Sequence, residues 1–228
     1  MAEFQQWVSK RPGPEFAYSY GMPQGLAPFM GDVRLGRRLK SAPPTISFAI
    51  EPEFVGRFAD DFTITDDHCL LLSPKLADVL RKAGVDSFET HPCQVQGQGQ
   101  AGYSLIVIRD VISCLDWEKS QLDVADDDPR SIESIESVAI DESRLAGSLL
   151  FRLAEAPSVV VVHKSIGAAI TASGLTGVAY APLDGSAPLP SSLDQLGVAW
   201  PEGVHRYIKR TFVPEELPDE EELEEKIL

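Results

Sequence analysis

No stretch of this chain approaches the roughly 18 consecutive apolar residues that a membrane-spanning helix needs. The first residues, Met1-Ala2-Glu3-Phe4-Gln5-Gln6, place an acid where a secretory leader carries positive charge, and no apolar leader core follows. A cytoplasmic protein without a membrane partner is therefore expected. Cysteine is scarce: Cys69, Cys93 and Cys114 are odd in number and hold no C-x-x-C spacing, as suits reduced thiols in a reducing compartment. G-x-S-x-G, H-E-x-x-H and a Walker loop are all absent, so the common routes to acyl transfer, zinc hydrolysis and nucleotide chemistry have no foothold. His68 beside Cys69 is not a catalytic arrangement, because a nucleophile and its base meet in space and need not be neighbours in sequence.

Positive charge is also in short supply. Twenty Lys and Arg face 35 Asp and Glu, a net charge of -15. Residues 1–40 hold six basic and three acidic residues, so the excess of acid lies entirely beyond them. Such a field repels nucleic acid and speeds encounter with a basic partner, although solubility is its most ordinary consequence. Arg34, Arg37, Arg38 and Lys40 are the one basic patch, too little for a nucleic-acid-binding module.

What the chain does have is the composition of a folded protein, 43% hydrophobic and 24% charged. At 228 residues it can bury roughly 70% of its unfolded surface. Residues 11–44 are rich in Pro and Gly and predict mostly irregular structure, with a short strand at Phe4 to Val8 that could add to a sheet edge. Ile46 to Ile50 alternates with period 2 and predicts a strand. The clearest helix is Ser73 to Gly84. Ser73 is a natural N-cap, Pro74 fits the first position, Leu76, Val79, Leu80 and Ala83 form one apolar stripe, and Gly84 stops it.

Phe88 to Val95 and Tyr103 to Arg109 read as strands joined by a Gly-rich link, a hairpin signal. Val111 to Trp117 leads into the polar segment Glu118 to Glu136, an exposed excursion from the sheet. Leu149 to Ala154 and Ser158 to His163 are strands, and the uninterrupted Val159-Val160-Val161-Val162 needs cover on both faces. Ser165 to Ser173, closed by Gly174, predicts a second helix, and Gly177 to Ala181 a further strand. No internal repeat appears at a period of 20 to 50 residues. Many strands and few helices without regular alternation give an α+β class, with a mainly antiparallel or mixed sheet. The strands around Tyr103 to Arg109 and Leu149 to His163 are expected in one sheet under the helix Ser73 to Ala83. The domain division expected is a Pro/Gly-rich segment 1–45, an α+β domain 46–213 and an acidic tail 214–228.

Each candidate chemistry has an ordinary counterpart. Gly97, Gly99 and Gly102 satisfy G-x-G-x-x-G, but a strand follows instead of the helix whose N-terminus would meet a pyrophosphate. His68, Cys69, His91, Cys93 and Cys114 lack the spacing of any zinc module. No cofactor and no metal is expected. His163 ends an apolar strand, the place of a satisfied terminal histidine more often than of a base. The acidic tail is a block of like charge, the composition of a solvated segment. Trp117, among Asp116, Glu118 and Lys119, is either core or the aromatic anchor of an interface.

Five blocks carry a family resemblance: Leu70-Leu71-Leu72-Ser73-Pro74-Lys75-Leu76, Tyr103 to Ile108, Cys114-Leu115-Asp116-Trp117-Glu118-Lys119-Ser120, Leu150-Phe151-Arg152-Leu153 and Gly174-Leu175-Thr176-Gly177-Val178. In this order they resemble the myxobacterial-type immunity proteins of bacterial polymorphic toxin systems, over about residues 60–185. The resemblance implies neutralisation of a cognate toxin, often a nuclease, by tight stoichiometric binding, and it implies no catalytic residue. A small cytoplasmic hydrolase or transferase is the alternative. For a toxin with a basic surface, the expected contact residues are Trp117, Asp123, Asp126, Asp127, Asp128, Glu133 and Glu136, which share a segment too polar for a core.

Overall fold

The structure, a computed structural model, describes residues 3–9, 25–39, 46–48, 58–61, 70–95, 102–124 and 132–184. In chain order the strands and helices are β1 (Phe4–Ser9), α1 (Met30–Arg34), β2 (Ile46–Phe48), β3 (Leu70–Leu72), α2 (Pro74–Lys82), β4 (Phe88–Val95), β5 (Ser104–Ile108), β6 (Val111–Ile112), β7 (Gln121–Val124), β8 (Ile132–Ser137), β9 (Leu150–Leu153), β10 (Val160–His163), α3 (Lys164–Ala172) and β11 (Val178–Ala181). The class is the expected α+β. A five-stranded sheet has the order β11-β1-β10-β9-β6, a four-stranded sheet the order β2-β4-β5-β3, and β7 and β8 pair alone. All pairs are antiparallel except β2 with β4 and β6 with β9.

The two long helices form where their caps predict. The Ser73 hydroxyl accepts the Leu76 N–H at 3.2 Å, Pro74 opens α2, and Gly84 leaves it at φ +87°. Leu76 and Leu80 are fully buried, each contributing about 2 kcal/mol over exposure. His163 caps α3 in the same way, its Nδ1 accepting the Ser165 N–H at 3.1 Å, and Gly174 ends it at φ +66°. That is the satisfied role expected of this histidine. The valine run is buried throughout because its faces meet different cores: Val160 and Val162 pack with Leu76, Leu80, Ile166 and Ile170, while Val159 and Val161 pack with Phe4, Phe151 and Leu153.

α2 and α3 have the same length and begin 90 residues apart, at 74 and 164. This offset marks a structural repeat, longer than any period in the 20 to 50 range. In one copy, β3, α2 and β4 are consecutive and β5 lies antiparallel between the two strands. In the other, β10, α3 and β11 are consecutive and β1 takes the middle place. The register is kept as well: Leu72 pairs with Ser104 as Val162 pairs with Gln5, and Phe88 with Ile108 as Val178 with Ser9.

The structure corrects two expectations and adds detail to a third. The N-terminal strand is not at an edge, since β1 is the middle strand of its copy and pairs on both sides. The strands Tyr103 to Arg109 and Leu149 to His163 do not share a sheet, since each copy builds its own. α2 does cover strands of both, through a core containing Ile106, Ile108, Leu150 and Val160. Lastly, residues 25–39 contain a 3-10 turn, Ala27–Phe29, that runs into α1. Leu26, Met30 and Val33 stand at i, i+4 and i+7 and pack on Ile46, Phe48, Leu105 and Val107, a helical spacing that the surrounding Pro and Gly obscured.

Residues 59–61 stitch the copies together. Asp60 N and Asp61 N both donate to Thr176 O at 3.1 Å, and Thr176 N donates back to Asp60 Oδ2 at 3.0 Å. The Ser73 hydroxyl donates to Asp60 Oδ1 at 2.8 Å. Buried Asp61 accepts the Trp7 indole N–H at 2.8 Å, and the Tyr103 hydroxyl donates to Ala59 O. Burial, with Asp60 and Asp61 nearby, raises the pKa of the Tyr103 phenol, which keeps it a donor.

Candidate partner interface

The polar excursion is a β-hairpin set outside both main sheets. Its base is closed by Asp116 N to Ala139 O at 2.9 Å, by Asp141 N to Cys114 O at 2.8 Å and by the bridge Leu115–Ile140. At the entry the Ser120 hydroxyl donates to Asp116 O at 2.6 Å and accepts the Ala139 N–H at 2.9 Å, which fixes the turn 117–119 ahead of β7.

Through β8 and the residue after it the apolar residues come at a spacing of three, Ile132, Ile135 and Val138, where a regular strand alternates by two. The ladder accommodates this by shifting twice. Gln121 pairs with Ser137 but Leu122 with Ile135, and Asp123 pairs with Ser134 but Val124 with Ile132. The extra residues are Glu136 and Glu133. The bulges let both isoleucines and Leu122 pack against the core around Cys114 and Phe151, while both glutamates are exposed.

Trp117 is 43% exposed, so it is not a core residue. Asp123, Glu133 and Glu136 are exposed on the hairpin strands. Asp123 accepts a hydrogen bond from the Ser134 hydroxyl. Asp126, Asp127 and Asp128 lie outside the described residues, between Val124 and Ile132. Asp116, which precedes the tryptophan in sequence, is engaged by Lys119, whose hydrogen bond holds the carboxyl below its usual pKa. Val124, 38% exposed, is an apolar surface residue that its strand pattern did not single out.

The other candidates resolve differently. Gly102 leads into strand β5, as the coincidental reading of the glycine pattern requires. Among the described residues no three His, Cys, Asp or Glu come together to hold a metal, and Cys93 and Cys114 are buried free thiols. Burial pushes Cys93 up to about 12, against the opposing effect of the Leu105 N–H that it accepts at 3.2 Å. Burial, reinforced by Glu155, pushes Cys114 up to about 11. Both are protonated, inert thiols at neutral pH. In a Cys69→Ser background, iodoacetamide at pH 8 should leave the native protein unlabelled over an hour and label two thiols in denaturant; rapid native labelling would contradict the buried placement. A surface cleft places the Ser148 hydroxyl 2.6 Å from Asp110 Oδ2, yet no histidine is among the described residues that line it.

The features above define a duplicated α+β scaffold with inert buried thiols and an acidic, bulged hairpin carrying an exposed tryptophan. The model of the Immunity protein family (Imm11) matches residues 6–184, and the chain belongs to that family. The match includes residues 6–9 of β1 and all of α1, which the resemblance over residues 60–185 left out. A search among curated proteins finds no match. No helix among the described residues is long and apolar enough to cross a membrane.

Proposed function

We propose that this immunity protein neutralises a cognate toxin by stoichiometric binding, in the cytoplasm and without catalysing a reaction. The observation that carries the reading is the family match across residues 6–184. The net charge of -15 supports a partner with a basic surface. A nuclease fits that description, because it must carry positive charge to hold phosphates.

The same reading assigns contact to Trp117 and to the acids Asp123, Asp126, Asp127, Asp128, Glu133 and Glu136. An exposed indole next to a charged strand is the composition of an anchor with a polar rim. Trp117→Ala should therefore raise the dissociation rate about 30-fold or more, the effect of losing roughly 2 kcal/mol at a hot spot, with little change in association. Surface plasmon resonance against the toxin encoded by the neighbouring gene measures both rates. Because Trp117 is exposed, the variant should unfold at the parent's temperature, and an unchanged dissociation rate would remove the tryptophan from the interface.

A further inference from the structure

The hairpin is the smallest sheet in the molecule, and its two outer edges differ. β7 and β8 pair only with each other. Both extra residues of the ladder, Glu133 and Glu136, belong to β8, so that strand bends and its outer row of backbone groups is interrupted. β7 carries no extra residue. Its four residues keep the regular alternation, with two N–H groups turned to β8 and two turned away.

The outward row of β7 is open. Gln121, Asp123 and Val124 are exposed, and Leu122, which packs the strand on the core, is half-buried. Among the described residues, Gln121 to Val124 form backbone hydrogen bonds only with β8. An edge of this kind is a template for a further strand, because its unpaired N–H and C=O groups already stand at ladder spacing.

The surrounding charge selects the strand that fits. Residues 120–137 hold six acids and one base, Arg130, and of these acids Asp123, Glu133 and Glu136 are exposed on the hairpin strands. A second copy of this chain, added edge to edge, would set like charges against each other and weaken the pairing. A strand bearing lysine or arginine gains from the same field. β11 is also an outermost strand, yet Val178-Ala179-Tyr180-Ala181 has no charge with which to choose a partner. We infer that the toxin adds an extended basic segment to the outer edge of β7, which turns the hairpin into a three-stranded sheet in the complex. The inference rests on the proposed toxin binding and adds to it the mode of contact: backbone hydrogen bonds along β7 hold the complex, and the acids guide its approach.

The test is amide hydrogen exchange, followed by NMR on the ¹⁵N-labelled full chain, alone and saturated with the toxin encoded by the neighbouring gene. In the free chain one alternating pair of β7 amides, Gln121 with Asp123 or Leu122 with Val124, should exchange fast, which marks the outward pair. In the complex the same two amides should slow about 30-fold or more as they enter a ladder. Asp123→Pro or Val124→Pro is then made, at whichever position points outward, where proline removes one N–H and leaves the bonds to β8 in place. Dissociation should be about tenfold faster or more than for alanine at the same position, the effect of an interface carbonyl left without its donor. Retained exchange protection of β8 shows that the variant hairpin is folded; where proline disrupts it, the slowing in the parental complex decides. Unchanged exchange of the outward pair in the saturated complex, or a folded proline variant that dissociates no faster than the alanine variant, would overturn the inference. Absence of any complex would remove the proposed function and this inference with it, whereas a complex that leaves β7 unprotected removes this inference alone.

Discussion

Trp7→Ala is expected to destabilise the protein by about 4 to 6 kcal/mol, combining a large core cavity with the loss of a hydrogen bond to a buried carboxylate. Trp7 is 4% exposed, packs edge-on against Tyr180, and donates its indole N–H to Asp61 at 2.8 Å. It sits on the strand that completes one copy of the repeat and touches the segment that joins the copies, so one truncation weakens both. A loss of that size is comparable to the entire stability of many domains. Urea unfolding followed by circular dichroism should show the variant largely unfolded or with a sharply lowered midpoint. Trp7→Phe keeps most of the volume but not the donor, and should cost about 1 to 3 kcal/mol. A Trp7→Ala protein as stable as the parent would mean that β1 is not a core strand.

The largest kinetic effect is expected at the hairpin. Replacing Asp123, Asp126, Asp127 and Asp128 with Asn, together with Glu133 and Glu136 with Gln, removes six negative charges from one short stretch. Rim charges of this kind steer encounter, so association with a basic toxin should slow by about ten- to a hundredfold at low salt and lose most of its salt dependence. The exposure of Asp123, Glu133 and Glu136 means that the substitutions leave the core intact. Deletion of residues 215–228 provides a control: the acidic tail should affect binding only at low salt and stability not at all. If the six-fold variant binds the toxin at the parental rate at low ionic strength, the contact face lies elsewhere.

The parts of the fold that could be read in the sequence are those set by local rules. Ser73, Pro74 and Gly84 fix α2 because caps and helix breakers act within a turn, and the valine run identifies β10 because four successive β-branched residues fit a strand covered on both faces. Pairing across long separations left no such mark. Nothing in Phe4 to Ser9 states that this strand slots between β10 and β11, because the partners lie more than 150 residues away and specify only a hydrogen-bonding edge. The repeat was hidden for a related reason. Leu76 and Leu80 correspond to Ile166 and Ile170, and Ala77 to Gly167, a conservation of shape and burial rather than of residue identity.

The hairpin acids could be picked out by polarity, but their display could not. Ile132 and Ile135 at a spacing of three hold the signal for the bulges, and a period-two strand template passes over it. The cleft had no local signature, because its walls come from segments that only the fold brings together.

The most direct test of the account is a titration of toxin activity. The neighbouring gene's product is assayed at a fixed concentration well above the dissociation constant, and the purified full chain is added in steps. Stoichiometric neutralisation predicts a linear loss of activity that ends at one equivalent, recovery of an equimolar complex by size exclusion, and recovery of active toxin when the complex is dissociated in high salt. Complete inactivation by a small fraction of an equivalent, growing with time and leaving the toxin permanently inactive, would show catalysis and contradict the account.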